Sequence, residues 1–181
     1  MTLAEKVRIV ELTKDSAPPT LFYHYTSHGY YDLLICRETR SWKIELTLKL
    51  FDQPVEKKSE SKLFADFIAV PRAFAAVLGG EQIGWIELGL EAWNNRMRVW
   101  EFLVKEEFRR KGIGKLLMDY AVKIAKEKGA RMLVLETQTC NVNAINFYIK
   151  YGFELLGFDA ATYSNEDIAR KEVRLELGLK L

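Results

Sequence analysis

EEFRRKGIGKLL, residues 106–117, joins two readable segments and decides what they build together. Ahead of it, Met97 to Val104 is apolar apart from Arg98 and Glu101, which reads as a strand buried on both faces. Behind it, Ile113, Leu116, Leu117, Tyr120, Ala121, Ile124 and Ala125 recur at spacings of three and four. Lys123, Lys126 and Lys128 fall outside that stripe, so the segment is an amphipathic helix, ended by Gly129. Between strand and helix, Arg109, Arg110 and Lys111 lead into Gly112, and Gly114 and Lys115 follow Ile113. A strand, a cationic glycine loop and a helix start make an anion site. The first helical turn presents N–H groups with no partner inside the helix. Its dipole favours negative charge by roughly 0.3–1 kcal/mol. Two glycines let a ligand approach where a Cβ would collide, and Arg109, Arg110 and Lys115 add countercharge. A diphosphate fits this description; a solvated basic turn is the plain alternative.

The chain around this loop is that of an ordinary globular protein. Its 181 residues suffice for one domain with a core and are short for two. Hydrophobic residues make up 49% and charged residues 29%. A net charge of +2 offers no bulk electrostatic attraction to nucleic acid or membrane. Cys36 and Cys140 form neither a metal spacing nor a disulfide framework, so a cytoplasmic protein with free thiols is expected. The N-terminal stretch MTLAEKVRIVELTKD lacks a signal-peptide core, and no apolar run is long enough for a transmembrane helix.

Outward from the loop, residues 73–104 read as three strands. Gly79-Gly80 makes the first turn and Asn94-Asn95 the second, since Asn tolerates the left-handed backbone of a hairpin tip. ARMLVLET is a buried strand, NVNAINFYIKYGF a helix closed by Gly152, and ELLGF and EVRLELGLKL are two more strands. The second half therefore runs β-β-β-α-β-α-β-β, an α/β (α+β) mixed sheet with packed helices. In the first half, Trp42, Ile44, Leu46, Leu48 and Leu50 alternate with Lys43, Glu45, Thr47 and Lys49, a half-buried strand. YYDLLICRE is a strand or a short helix. Residues 52–62, DQPVEKKSESK, read as a surface loop.

The diphosphate can be narrowed. A Walker loop is absent, because Leu116 follows Lys115 and no glycine stands five residues before Gly114. A dinucleotide fingerprint needs three glycines where two stand. Coenzyme A is the remaining common candidate. The run Arg109-Arg110-Lys111-Gly112-Ile113-Gly114 then resembles the [RQ]-x-x-G-x-[GA] signature of the GNAT acetyltransferases, with FLVKEEF ahead of it. NVNAINFYIKYGF resembles that family's second helix, with Asn143, Ala144, Phe147, Tyr148, Gly152 and Phe153 in place. The resemblance covers about residues 66–178 of a single domain spanning 1–181; residues 1–65 resemble nothing usable. Within the family, ELGLEAWNNRMRVWEF, LETQTCNVNAINFY and YSNEDI look most like the streptothricin acetyltransferase branch.

The resemblance implies a centrally splayed sheet with helices on both faces and acetyl-CoA as cosubstrate. It implies that pantetheine pairs with a strand ending in Phe102, Leu103 and Val104. The diphosphate would lie on Arg109, Arg110, Lys111, Gly112, Ile113, Gly114 and Lys115, with Asn143 contacting the coenzyme. The Val104 N–H would polarise the thioester, and Tyr148 would protonate the leaving thiolate. Tyr148 is otherwise a core aromatic beside Phe147.

The acceptor side rests on carboxylates. Glu101 is a lone acid in an apolar strand, and such acids need a reason; the general base or an amine-binding group is one, a partner for Arg98 or Arg96 another. Glu87 falls roughly opposite it if the hairpin centres on Asn94-Asn95, so the two form one acidic site. Glu136 ends the second splayed strand. Three such acids suit a cationic small-molecule amine, and Trp93, with Trp85 and Trp100, is a candidate wall. His24 and His28, four apart, would share one face of a helix in a metal-like spacing, but no acidic or Cys ligand accompanies them, which leaves an aromatic lid over the acceptor or plain packing. Cys140 lacks a neighbouring base for a covalent role. A protein lysine or N-terminal acetyltransferase and a non-catalytic acyl-CoA sensor are the competing functions. A homodimer is a further expectation, with EVRLELGLKL pairing across subunits.

Overall fold

A computed structural model describes residues 3–181. The strands are β1 (Arg8–Glu11), β2 (Leu21–Arg37), β3 (Trp42–Ser61), β4 (Arg72–Leu78), β5 (Glu81–Glu91), β6 (Arg96–Val104), β7 (Met132–Gln138), β8 (Glu154–Asp159) and β9 (Arg174–Lys180). The helices are α1 (Ile113–Glu127), α2 (Val142–Tyr151) and the short α3 (Asp167–Arg170). They build two compact units. The first holds residues 3–24, 58–135 and 179–181, the second residues 25–57 and 136–178.

In the first unit the strand order is β1-β4-β5-β6-β7. The three pairs from β1 to β6 are antiparallel, and β6 and β7 are parallel. Both expected turns are present: Gly79 and Gly80 have φ of +59° and +92°, and Asn95 has +54°, the left-handed backbone that tight hairpins demand. Across β5 and β6 the register runs Gly84↔Val104, Trp85↔Leu103, Ile86↔Phe102, Glu87↔Glu101, then Leu88↔Val99. Trp100 is the extra residue of a bulge, which bends its strand and raises its twist. The β6–β7 register among the described residues runs from Arg96↔Met132 to Arg98↔Val134. Parallel pairing thus stops just before the bulge, while β6 continues to Val104, as the expected splay requires.

Helix α1 packs on β4, β5 and β6. Its buried residues are Ile113, Leu117, Met118, Ala121, Ile124 and Ala125, each large one worth about 1.5–3 kcal/mol on full burial. A Cβ on Gly84 would stand 3.2 Å from Leu117 Cδ1 and 3.0 Å from Leu103 O, so glycine lets the helix approach the sheet. The opposite face of β5 and β6 carries a second cluster: Leu12, Leu21, Leu63, Ala73, Ala75, Trp85 and Leu103.

The second unit contains the order β7-β9-β8, with β8 and β9 antiparallel. It also holds most of a ribbon made by β2 and β3. Thr26–Glu56, Tyr30–Phe51 and Asp32–Lys49 contacts step in opposite directions along its strands, so the ribbon is antiparallel. Three sequence expectations are corrected here. Residues 52–61 are strand, not loop. Trp42 and Leu50 are 64% and 76% exposed, and Ile44 and Leu48 are exposed too, so the β3 apolar face is not half-buried. Strand β3 pairs with β2 while most of its residues stay exposed, so little burial marks it in the sequence. Lastly, β9 is flanked by β7 and β8, so both its edges are paired and it has none to offer a second subunit. YYDLLICRE resolves as strand, within β2.

Candidate active site

Glu87 and Glu101 face each other across β5 and β6, as the hairpin geometry predicts. Strand alternation puts them on one sheet face with Trp85 and Leu103, the next pair along. Glu87 is fully buried. Its Oε1 accepts the Phe64 N–H at 2.6 Å, and Oε2 has no hydrogen-bond partner among the described residues. Burial pushes its carboxyl up from 4.5 to about 7, the Phe64 N–H opposing and the Glu101 charge adding to the rise. Glu101 is half-buried. Its Oε2 accepts from the Tyr23 hydroxyl at 2.5 Å and its Oε1 from the Ser61 hydroxyl. Arg98 and Arg96 both pair with Glu91, at 2.6 and 3.0 Å.

A cavity of about 590 Å³ opens on the same face, lined by Leu21, His24, Glu81, Trp85, Leu103 and Glu106 among others. Trp85 and Leu103 carry it toward the acids. His24 Nδ1 lies 3.6 Å from Glu106, and Glu81 pairs with Lys105 at 2.5 Å. His24 and His28 stand on strand β2, not a helix. Among the described residues no group of three or more His, Cys, Asp or Glu side chains could hold a metal ion.

The end of β6 offers backbone donors. Lys105 N–H bonds Ile83 O at 3.0 Å, and antiparallel alternation turns the Phe102 and Val104 N–H groups to the other edge. That is the edge where pairing with β7 has ended. Arg109 Nε ties the loop back to Val104 O at 3.0 Å. Arg110 has φ of +59° and Gly112 +86°, so the loop turns twice through left-handed backbone before α1. Such conformations aim successive N–H groups into a concavity suited to anions, and a non-glycine there costs on the order of 1 kcal/mol. Gly112 is the α1 N-cap and provides no side-chain cap. Buried Ile113 anchors the turn, Gly114 lies within it, Lys111 sits over the Phe108 ring at 5.7 Å, and Lys115 pairs with Asp119 at 2.7 Å.

In the second unit, Asn141 caps α2 by accepting the Ala144 N–H, Asn143 lies exposed in the first turn, and Gly152 closes the helix at φ +115°. Tyr148 is buried, its ring 5.5 Å from Phe147 and 5.8 Å from Phe153. Burial raises its hydroxyl above the ordinary tyrosine range, so it stays protonated. Glu136 pairs with Arg174 at 2.9 Å and accepts from Tyr163. The Cys140 thiol is raised by burial, which keeps it a poor nucleophile. Trp93 is 84% exposed at the β5–β6 turn and is not brought to the acids. Tyr23, Ser61 and Phe64 escaped the sequence reading. One signal was available: two acids on apolar strands must find donors elsewhere in the chain.

The sequence model of the acetyltransferase (GNAT) family matches residues 29–153. A streptothricin acetyltransferase of Streptomyces lavendulae is 39% identical over 93 residues, 51% of this chain and 49% of that protein. The chain thus spans about half the length of this curated relative. The crystal structure of a nourseothricin acetyltransferase aligns at TM-score 0.75 and 25% identity, over 97% of this chain and 98% of that one. A Bacillus anthracis strain Ames protein assigned as a streptothricin acetyltransferase, solved with acetyl coenzyme A, aligns at TM-score 0.74 and 28% identity, over 98% and 99%. With strand splay, anion loop and family match agreeing, the chain belongs to the acetyltransferase (GNAT) family.

Proposed function

We propose that the protein transfers the acetyl group of acetyl-CoA to a primary amine of a small cationic acceptor by direct attack in a ternary complex, with streptothricin the named candidate. The observation that carries this reading is the facing pair Glu87 and Glu101 on the sheet face where an open cavity, lined by their neighbours Trp85 and Leu103, is found. The relatives' names supply the acceptor, and the acetyl coenzyme A bound to the Bacillus anthracis protein supports the donor.

The residues present fit the coenzyme. The left-handed turns at Arg110 and Gly112 and the uncapped start of α1 suit its diphosphate, with Arg109, Arg110, Lys111 and Lys115 as countercharge. The outward N–H groups of Phe102 and Val104 suit its amide arm by strand addition, and Asn143 is assigned a further contact. Bound acetyl-CoA supplies an activated thioester. The Val104 N–H stabilises negative charge on the thioester oxygen. A lysine-like amine has a pKa near 10.4, so its neutral form is disfavoured at pH 7 by about 4.6 kcal/mol. The carboxylate pair takes up that proton. Tyr148, held protonated, gives its proton to the departing thiolate and is restored, through solvent, by the second proton that the acylated nitrogen sheds. Glu136 is assigned to a second cationic group of the acceptor.

Thiol release from acetyl-CoA tests this, with streptothricin, polyamines and amino acids as acceptors and Tyr148→Phe as control. Amine-dependent release that falls in the variant supports the reading. Binding of acetyl-CoA with no release on any amine overturns it in favour of a sensor, and label entering protein bands of a lysate overturns the small acceptor.

A further inference from the structure

One short segment reaches both acids. Ser61 closes β3 and donates its hydroxyl to Glu101 Oε1. Three residues on, Phe64 donates its N–H to Glu87 Oε1. Leu63 between them is buried in the core cluster with Leu21, Trp85 and Leu103, which anchors the segment. Phe64 has φ of +61°, a left-handed backbone that costs a bulky residue energy and persists where surroundings over-determine it. From β2, Tyr23 supplies the second hydroxyl to Glu101. The two carboxyls are treated unequally. Glu101 receives two hydroxyl donors and is reachable from solvent, whereas Glu87 receives one backbone donor, is fully sealed and leaves Oε2 unmatched.

We propose that Tyr23 and the segment 61–64 form a carboxylate clamp that divides the proton transfer, Glu101 meeting the acceptor amine and Glu87 storing the proton behind it. This rests on the acetyl-transfer reading above. The acceptor ammonium gives its proton to the Glu101 carboxylate and becomes the free amine. Glu101 passes the proton to the Glu87 carboxylate and is ionised again; after acetyl transfer the proton returns through Glu101 to solvent, which resets the pair with no other reactant. Directly opposed residues on adjacent strands bring their Cβ atoms to about 4.5–5.5 Å, close enough for that step. Hydroxyl donors favour the charged form of Glu101, and burial favours the neutral form of Glu87. The groups facing the pair include each other, Tyr23 from β2 and Ser61 and the Phe64 N–H from the segment, and β4 presents Ala73 opposite Glu87. Tyr23 and Ser61 are positioning residues, acting through Glu101.

The test is carboxyl titration by carbon NMR in glutamate-labelled protein, assigned with Glu87→Gln and Glu101→Gln, beside pH profiles of kcat/KM. The clamp predicts one carboxyl titrating near pH 7 that is missing in Glu87→Gln. Tyr23→Phe and Ser61→Ala each move the Glu101 midpoint up by about one pH unit, while the acid limb of the profile follows the carboxyl near pH 7 and is missing in Glu87→Gln. Glu101→Gln is expected to raise KM for the amine, and Glu87→Gln to lower kcat with KM little changed. A Glu101 midpoint unmoved in both hydroxyl variants, with activity lost evenly at every pH, overturns the clamp. An amine KM raised by Glu87→Gln but not by Glu101→Gln overturns the division of labour. A wild-type protein that acetylates no amine overturns the acetyl-transfer reading, while the titration still decides the clamp.

Discussion

At the scale of single residues, Glu87 and Gly112 carry the sharpest consequences. The Glu87 carboxyl is raised from 4.5 to about 7 in the folded protein. The folded state therefore binds more protons than the unfolded chain between those values. Its stabilising contribution is complete below pH 4.5 and is lost as pH rises through 7. Glu87→Gln removes the effect, so thermal unfolding should show the variant gaining on the wild type across that window, by at most about 3 kcal/mol. A parallel pH dependence of the two proteins contradicts this. Gly112 holds φ of +86° at the uncapped start of α1. Gly112→Asp adds bulk, strain and negative charge at the proposed diphosphate site, and calorimetry should find acetyl-CoA affinity lost. Unchanged affinity removes the loop from the phosphate site. These two residues were legible in the sequence for different reasons: glycine at a helix start and an acid in an apolar strand each violate a local preference. Tyr23 and Ser61 violate none, so nothing in the sequence set them apart.

At the scale of elements, legibility follows burial. Strands β4 to β7 and helices α1 and α2 have one or both faces in a core, and their periodicity shows it. The turns between them are named by Gly79, Gly80 and Asn95, which take up left-handed backbone. The β2–β3 ribbon has no such imprint. Pro54, Glu56, Lys57 and Lys58 look like loop chemistry, yet the partner strand satisfies their backbone. Close packing makes α1 sensitive at Gly84, where a Cβ would meet Leu103 O at 3.0 Å and Leu117 at 3.2 Å. Gly84→Ala should destabilise by about 1–3 kcal/mol, readable in denaturant midpoint, with Leu117→Ala in the same background restoring part of the loss. On α2, Asn141 Oδ1 accepts the Ala144 N–H at 3.3 Å, and Asn141→Ala should cost about 1 kcal/mol. A neutral effect there denies the cap.

At the scale of the molecule, the bulge at Trp100 and the end of β6–β7 pairing at Arg98↔Val134 have one result. They carry Phe102 and Val104 beyond the last β6–β7 pair while holding Glu101 opposite Glu87. The proposed coenzyme donors and the proposed acceptor acid Glu101 thus come from alternate residues of β6, with Glu87 facing from β5. The part of the chain with no readable family resemblance, residues 1–65, supplies the hydroxyls that hold the acceptor acid. That division explains why the glycine loop stood out in the sequence while the donors around Glu101 did not. The proposed coenzyme contacts use backbone and glycine, whose patterns recur, whereas the proposed acceptor contacts use side chains brought from distant segments. The most direct measurement is transfer of labelled acetyl from acetyl-CoA to streptothricin by the wild type and by Glu101→Gln. The account predicts transfer by the wild type and a loss of roughly 10²-fold or more in the variant. Equal transfer by both proteins would contradict it.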